Sequence, residues 1–188
     1  IWTDDGLARF DGHRLVSYTR ADGLPEKYVN NLLETRKGDY WVASDGGISR
    51  FDPNPGRTRF TTHVPPGVAE SRHVNTLFED EDGTLLAGTS AGLFRFYPHA
   101  HPPAFQPISL GHFSDSVMVN AIARDSSGAV WLATNNGVFQ SRIDGGWAHF
   151  GVESGLPIDR GTGSSATAFV NSFARDRNNR LWIAFKGG

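Results

Sequence analysis

The feature that most constrains this chain is a repeat that returns about every 45 residues. The segment Asp39–Ile48 reappears 45 residues later as Thr84–Leu93, another 45 residues on as Ala129–Val138, and 51 residues after that as Arg180–Gly188. The opening segment Thr3–Leu7 matches the later part of the same unit. A fixed period of this length is typical of folds that place similar structural units side by side.

A second segment recurs in step with the first. Each copy has a Val followed by an Asn, at Val29-Asn30, Val74-Asn75, Val119-Asn120 and Val170-Asn171. The residues around each pair alternate between apolar and polar types and are rich in β-formers, which predicts a strand. The next residues form a turn such as Asp82-Gly83 or Ser127-Gly128, where Gly can adopt the positive φ of a tight hairpin.

The rest of each unit predicts three more strands. The second carries a Trp and one small residue, which is expected where neighbouring sheets pack face to face. A third strand follows another Gly turn, and an aromatic strand such as Trp147–Phe150 completes the unit. The 22 glycines and the period of two disfavour helical repeats.

Four short antiparallel strands in a unit of this length make one blade of a β-propeller. The sequence therefore predicts an all-β fold: a single β-propeller segment over 1–188, built of four-stranded antiparallel blades, with about four blade repeats. The expected repeats are 1–27 (partial), 28–72, 73–117, 118–168 and 169–188 (partial).

Charge and composition exclude several functions. The net charge is −2 and the sequence has no basic stripe, so no nucleic-acid partner is expected. The chain has no Cys, which excludes disulfides and thiolate metal sites. No apolar run approaches the roughly 18 residues that a membrane helix needs.

Motifs of known chemistry are few, and we interpret them as structural. Gly161–Ala166 imitates a dinucleotide fingerprint, but it lies between predicted strands rather than before a helix. His99 and His101 are too few ligands for a metal, and Glu79–Gly83 lacks the later Glu of a calcium loop. The sequence predicts no catalytic residue, no cofactor and no metal, although a carboxylate pair in the loops is not excluded.

Several segments resemble the two-component-regulator propeller repeat, whose unit combines an Asp-x-x-Gly turn with a Leu-Trp-Ile-Gly-Thr strand. Asp125–Thr134 is similar to this unit, and Asp22–Pro25 and Ser154–Pro157 are similar to the family's Gly-Leu-Pro linker. There are departures: Leu86 replaces the Trp, and Lys37-Gly38 follows Arg36 where an Asp is expected.

The resemblance implies a non-enzymatic, ligand-sensing module on the periplasmic or extracytoplasmic side of a bacterial inner membrane. It would belong to a two-component sensor, such as a hybrid histidine kinase, or to a diguanylate cyclase. The implied partners are a small molecule or an oligosaccharide, and the remaining propeller and signalling domains of the same chain. A homodimer of the full-length protein stays open. The alternatives are a propeller enzyme, such as a polysaccharide or streptogramin-type lyase, and a protein-interaction scaffold.

The residues alone do not determine the number of blades in the complete propeller. The two ends of the sequence carry complementary parts of a blade, so a closed four-bladed ring can form in principle. A segment of a larger propeller, of the seven-bladed type that the family usually forms, is the preferred expectation.

Blade topology predicts where a ligand would bind. Strands run alternately up and down, so the linkers between blades and the turns between second and third strands should share one face. The longer, more variable loops fall on that face, which suggests a binding surface. Its predicted contacts are Asp45, Arg72, His73, Ser90, Asp115, Asn135 and Asn136. The alternative is that these residues only cap turns.

The residues that recur in every copy are predicted to be structural. Asn30, Asn75, Asn120 and Asn171 could line a central channel with amides, but a repeated side-chain bond to the backbone is favoured because every copy has the Asn. The Trp series is expected to pack between blades.

Overall fold

A computed structural model describes residues 2–3, 5–54, 59–113, 117–157, 168–178 and 180–185. The described residues fold into antiparallel sheets that follow one another along the chain. The first is three-stranded, with β1 (Trp2–Thr3), β2 (Gly6–Phe10) and β3 (Leu15–Tyr18). The last is two-stranded, with β16 (Val170–Arg175) and β17 (Leu181–Phe185).

Three four-stranded sheets lie between them. The first full blade has β4 (Val29–Glu34), β5 (Tyr40–Ser44), β6 (Gly47–Phe51) and β7 (Phe60–His63). The second full blade has β8 (Val74–Glu79), β9 (Leu85–Thr89), β10 (Gly92–Tyr97) and β11 (Ala104–Ile108). The third full blade has β12 (Val119–Arg124), β13 (Val130–Thr134), β14 (Gly137–Ser141) and β15 (Trp147–Phe150). In each, the strands pair in sequence order, which confirms the prediction of four-stranded antiparallel propeller blades.

The first strands of the blades form the inner layer. Strand β4 contacts β8, β8 contacts β12, and β12 contacts β16. Three-residue or four-residue 3-10 helices at Arg20–Asp22, Ala69–Arg72, Gly111–Phe113 and Val152–Ser154 lie in the linkers that precede these strands. The Val-Asn segments therefore occupy the innermost position of each blade.

Every recurring Asn lies at a β-bulge. The register between first and second strands shifts between Val29 and Asn31, and it shifts at the equivalent position in the other three sheets. A bulge leaves one residue unpaired and redirects its side chain. The Asn75 amide uses this freedom to donate to the carbonyl of Val119, 3.1 Å away in the next blade. Asn30 and Asn120 make the same bond to Val74 and Val170.

The core lies between blades rather than within one. Trp41 and Ile48 of the first full blade pack with Leu85 and Phe96 of the second. A similar cluster joins the second and third full blades. Each fully buried aliphatic or aromatic side chain stabilises the fold by about 1.5–3 kcal/mol, so these clusters hold successive blades together.

The small residue of each second strand permits this close approach. A Cβ added to Gly88 would lie 2.6 Å from Cγ1 of Val119 and 2.7 Å from Cγ2 of Thr76. Both distances are shorter than van der Waals contact, so the second full blade needs glycine where the neighbouring blades have alanine. The expectation that sheets meet at this position agrees with the packing.

The Trp and Asp of the repeat form a pair. Nε1 of Trp131 donates to Oδ2 of Asp125 at 2.6 Å, and Trp182 bonds to Asp176 in the same way at 2.9 Å. The tryptophans of the repeat differ in burial: Trp41 is 3% exposed, whereas Trp182 is 57% exposed.

The two copies that depart from the motif each lose one member of this pair. The first full blade has Thr35 at the turn position of the Asp, one residue before Arg36, and its hydroxyl accepts from the Asp39 N–H at 3.0 Å. The second full blade has Leu86 in place of the Trp, and its turn carboxylate, Asp80, instead pairs with Arg95 and Arg124.

Candidate functional site

Backbone hydrogen bonds bring two kinds of loop together at one end of the second and third full blades. The Ser90 N–H donates to the His73 carbonyl at 3.0 Å, and the Asn135 N–H donates to the Met118 carbonyl at 3.1 Å. Each bond joins the turn between second and third strands to the linker that precedes the same blade. We call this end the mouth face; it comprises the turns 45–46, 90–91 and 135–136 and the described parts of the linkers at 19–28, 64–73, 109–118 and 151–169.

A hydroxyl shapes each of these turns. The Thr134 side chain accepts from the Asn136 N–H at 3.0 Å and donates to the Gly137 carbonyl at 2.8 Å, and Ser44 and Thr89 make equivalent bonds. The turn ends in a glycine of positive φ, such as Gly47 at 118°. A Cβ there would lie 2.5 Å from a main-chain oxygen, that of His63. These bonds and the glycine fix the backbone conformation of each turn between the second and third strands.

One cavity on the mouth face unites several predicted contacts. It has a volume of about 500 Å³ and lies between the linkers on either side of the first full blade. Asp45, Arg72 and His73 all line it. Its remaining lining residues are Pro25, Glu26, Tyr28, Gly46 and Val64. Three residues predicted from the sequence to share one face thus line the same cavity.

The Gly-Leu-Pro linker forms one wall of this mouth cavity. Thr19 and Asp22 cap each other's backbone, and Gly23 ends the short helix with a φ of 96°. Leu24 is then buried against the blade core. Pro25 packs over the turn so closely that a Cβ on Gly46 would lie 2.8 Å from its Cβ.

The opposite wall comes from the linker to the second full blade. Arg72 ends the 3-10 helix Ala69–Arg72, and His73 follows it. Both side chains are exposed. The Tyr28 ring, 52% exposed, stands on the Pro25 side, so the cavity combines an accessible aromatic ring with charged groups.

Three other predicted contacts lie elsewhere on the mouth face. The Asn135 side chain accepts from the Met118 N–H at 2.9 Å, and the Asn136 carbonyl lies 2.6 Å from Nε2 of His149. The backbone of Ser90 joins the turn to His73. These three residues do not line the mouth cavity, and their bonds organise turns. Asp115 lies outside the described residues, as does the segment Gly161–Ala166.

Glu26 and Tyr28 were not among the contacts predicted from the sequence, although both line the mouth cavity. The Gly-Leu-Pro motif could have identified them, because both residues lie between this motif and the first strand of the blade. Within the described ranges, no group of three or more His, Asp or Glu side chains is placed to hold a metal ion. No helix among those residues has the length and apolar character needed to cross a membrane.

Two segments of the chain, residues 23–46 and 112–136, match the two component regulator propeller family. The first contains the Gly-Leu-Pro linker and the innermost strand of the first full blade, and the second contains the whole Asp125–Thr134 unit. The resemblance drawn from those motifs is thereby confirmed. No curated protein matches the chain in sequence.

Solved structures of similar fold include two extracellular domains from B. thetaiotaomicron. The extracellular domain of a candidate one component system is 22% identical, with a TM-score of 0.73 over 97% of this chain and 24% of its own. That of a candidate hybrid two component system is 22% identical, with a TM-score of 0.70 over 98% of this chain and 23% of its own. The chain thus spans about a quarter of these domains.

An enzyme shares the same architecture. Virginiamycin B lyase from Staphylococcus aureus is 13% identical, with a TM-score of 0.64 over 96% of this chain and 56% of the lyase. At such identities, likeness to the lyase and to the two extracellular domains establishes the propeller fold alone.

Proposed function

Because this chain carries repeats of the two component regulator propeller family, we propose that it belongs to the extracytoplasmic ligand-sensing propeller of a bacterial signal-transduction protein, of the two-component sensor or diguanylate cyclase type. The ring is larger than this segment, and the signalling domains lie in the same protein. The ligand is a small molecule or an oligosaccharide that binds in the mouth cavity.

The observation that carries the proposal is the contrast between repeated and unrepeated residues. The residues that recur, such as Asn120 and Trp131, are engaged in bonds within and between blades. Tyr28 and Arg72, which do not follow the repeat, line a single cavity of about 500 Å³. Copy-specific side chains around a concave site are what a binding function requires and what blade packing does not.

The cavity is also connected to the joint between two blades. The Asn30 amide donates to the Asp45 carboxylate at 2.9 Å and to the Val74 carbonyl of the second full blade at 3.0 Å. A ligand that engages Asp45 therefore acts on a side chain that bridges neighbouring blades. This link offers a physical route from occupancy of the site to the relative position of the blades.

An oligosaccharide suits the lining. An exposed ring such as Tyr28 can stack on the apolar face of a sugar, while Glu26 and Asp45 can accept hydrogen bonds from its hydroxyl groups. We propose a binding module without turnover; the lyase remains the alternative, since it shares this fold.

A binding screen tests the proposal. This chain is presented to plant and host oligosaccharides, together with the variants Tyr28→Ala and Ile143→Ala. We expect saturable binding that Tyr28→Ala weakens about tenfold or more, since stacking and burial of an aromatic ring are lost. Ile143 is a matched control, because it is fully exposed on the outer hairpin away from the mouth face.

Three results would count against the proposal. Binding of no oligosaccharide in the screen excludes the glycan ligand. Equal loss of affinity in both variants places the site elsewhere. If chromatography shows that a bound oligosaccharide is cleaved, the lyase alternative is favoured.

A further inference from the structure

The mouth cavity is lined by two acidic and two basic side chains, and the acidic pair already has partners. Asp45 accepts a hydrogen bond from Asn30 at 2.9 Å. Glu26 lies 4.0 Å from Nη1 of Arg20 across a partly exposed ion pair. One oxygen of Asp45 is therefore occupied by a neutral amide, and the charge of Glu26 is partly offset by Arg20.

The two basic side chains, Arg72 and His73, have no such partners among the described residues. In the described part of the chain, the Arg72 guanidinium makes no hydrogen bond or ion pair, and the His73 ring makes none either. Both line the cavity. Of the charged side chains Glu26, Asp45 and Arg72 that line the cavity, Arg72 is thus the one for which the described residues supply no partner, and its guanidinium is a permanently charged N–H donor.

The backbone that carries this basic pair is held on both sides. Ser71, directly before Arg72, is buried, and its N–H donates to the Val68 carbonyl at 3.0 Å. Directly after Arg72, the His73 carbonyl accepts from the Ser90 N–H at 3.0 Å. An exposed guanidinium on such an anchored segment gives up less conformational freedom of the backbone when it binds.

From this arrangement, and on the basis of the proposed function, we infer that the ligand of the mouth cavity is anionic. A carboxylate or sulfate group binds the Arg72 guanidinium, with the His73 ring as a second donor, and Tyr28 stacks on the attached sugar ring. A planar guanidinium matches the two oxygens of such a group in a bidentate pair, which is stronger than a hydrogen bond between neutral groups. The ligand class is thus an acidic saccharide, in which a uronic acid or a sulfate ester supplies the charge.

Matched pairs of sugars test this inference. ¹⁵N NMR spectra of this chain are recorded during titration with glucuronate against glucose, and with galactose 6-sulfate against galactose. The reporters are the Arg72 Nε–H and the Gly46 backbone N–H. We expect saturable shifts with at least one acidic sugar, and dissociation constants about tenfold or more larger for its neutral counterpart. The arm that responds identifies carboxylate or sulfate as the recognised group.

Two variants separate recognition by Arg72 from a general charge effect. Arg72→Ala should raise the dissociation constant for the acidic sugar about tenfold or more. Arg142→Ala removes an exposed arginine of the outer hairpin between β14 and β15 and should leave it unchanged.

The inference is overturned if neutral and acidic sugars bind equally, if Arg72→Ala has no effect, or if neither acidic sugar gives a saturable shift. Its failure can be told apart from failure of the proposed function. A neutral oligosaccharide whose binding is weakened by Tyr28→Ala but not by Arg72→Ala leaves the sensor proposal standing and refutes the anionic ligand.

Discussion

The side-chain amide of Asn120 donates to the main-chain carbonyl of Val170, 2.7 Å away and 50 residues further along the chain. The bond crosses from the third full blade to the first strand of the following sheet. Asn120 is the residue omitted from pairing where the register shifts between Val119 and Ala121. The bulge and the amide therefore act together: the bulge frees the side chain, and the side chain binds the neighbouring blade.

Replacing Asn120 by Ala should destabilise the chain. The Val170 carbonyl would lose its partner at a position where that residue is fully buried, which costs about 1–3 kcal/mol. Urea denaturation followed by tryptophan fluorescence measures the change. Asn171→Ala is the matched control, since this exposed Asn has no partner among the described residues, and it should change stability by less than about 0.5 kcal/mol. Equal effects of the two variants would show that the inter-blade bond contributes nothing.

Much of the fold could be predicted because a repeat reports the same structure several times. Strand β11 (Ala104–Ile108) was the exception among the full blades. Its segment follows Pro102-Pro103 and contains Pro107, which obscure a strand pattern. The structure places it at the outer edge of the sheet, where a missing N–H is tolerated.

The site could be predicted only in part, for a physical reason. Repeats identify the loops that share a face, and so Asp45, Arg72 and His73 were expected on one surface. They do not identify which side chains turn inward. Asn135 looks equally available in the sequence, yet its amide oxygen is engaged by the Met118 N–H. Tyr28 lies directly before the repeated Val, and only the cavity reveals its exposure.

Gly88→Ala should destabilise the junction between the second and third full blades. The added methyl group would press on Val119 and Thr76, and overpacking of this kind costs about 1–3 kcal/mol. The measurement is the free energy of unfolding from chemical denaturation.

A compensating change distinguishes crowding from any other effect of the methyl group. The third full blade has Ala121 paired with Ala133 at the equivalent positions. The double variant Thr76→Ala/Gly88→Ala reproduces that pair and should recover part of the loss, giving non-additivity of about 0.5–3 kcal/mol. Strict additivity of the two single changes would contradict the packing explanation.

The Trp131–Asp125 hydrogen bond ties the second strand of the third full blade to the turn that precedes it. In a double-mutant cycle with Trp131→Phe and Asp125→Asn, we expect a coupling free energy of about 1–3 kcal/mol, as for a hydrogen bond to a charged acceptor. Burial acts to raise the pKa of the Asp125 carboxyl, but hydrogen bonds from Ser127 and Trp131 outweigh it and lower the pKa.

A control double-mutant cycle uses a different tryptophan of the same blade, Trp147, in the place of Trp131. Trp147 lies on β15 and makes no hydrogen bond to Asp125 among the described contacts. Trp147→Phe combined with Asp125→Asn should therefore give a coupling near zero. A similar coupling in both cycles would assign the effect to general loosening of the blade.

His63 should make stability depend on pH in the mildly acidic range. Its ring lies 5.1 Å from that of Phe96 and 6.2 Å from that of Trp41, and burial in this aromatic contact lowers the pKa of His63 below its ordinary value of 6.5. The unfolded chain then binds the proton more tightly than the folded chain does. The contribution to stability is fully present above pH 6.5 and is lost as the pH falls through the lower folded pKa.

The variant His63→Phe keeps an aromatic ring in this contact and removes the proton. Its free energy of unfolding, measured by urea denaturation at several values between pH 5 and pH 8, should fall less on acidification than that of the unmodified chain. His13→Gln is the control, because His13 is exposed and its replacement should leave the pH profile unchanged. If the free energy of unfolding of His63→Phe changes with pH in parallel with that of the unmodified chain, protonation of His63 does not cause the loss of stability.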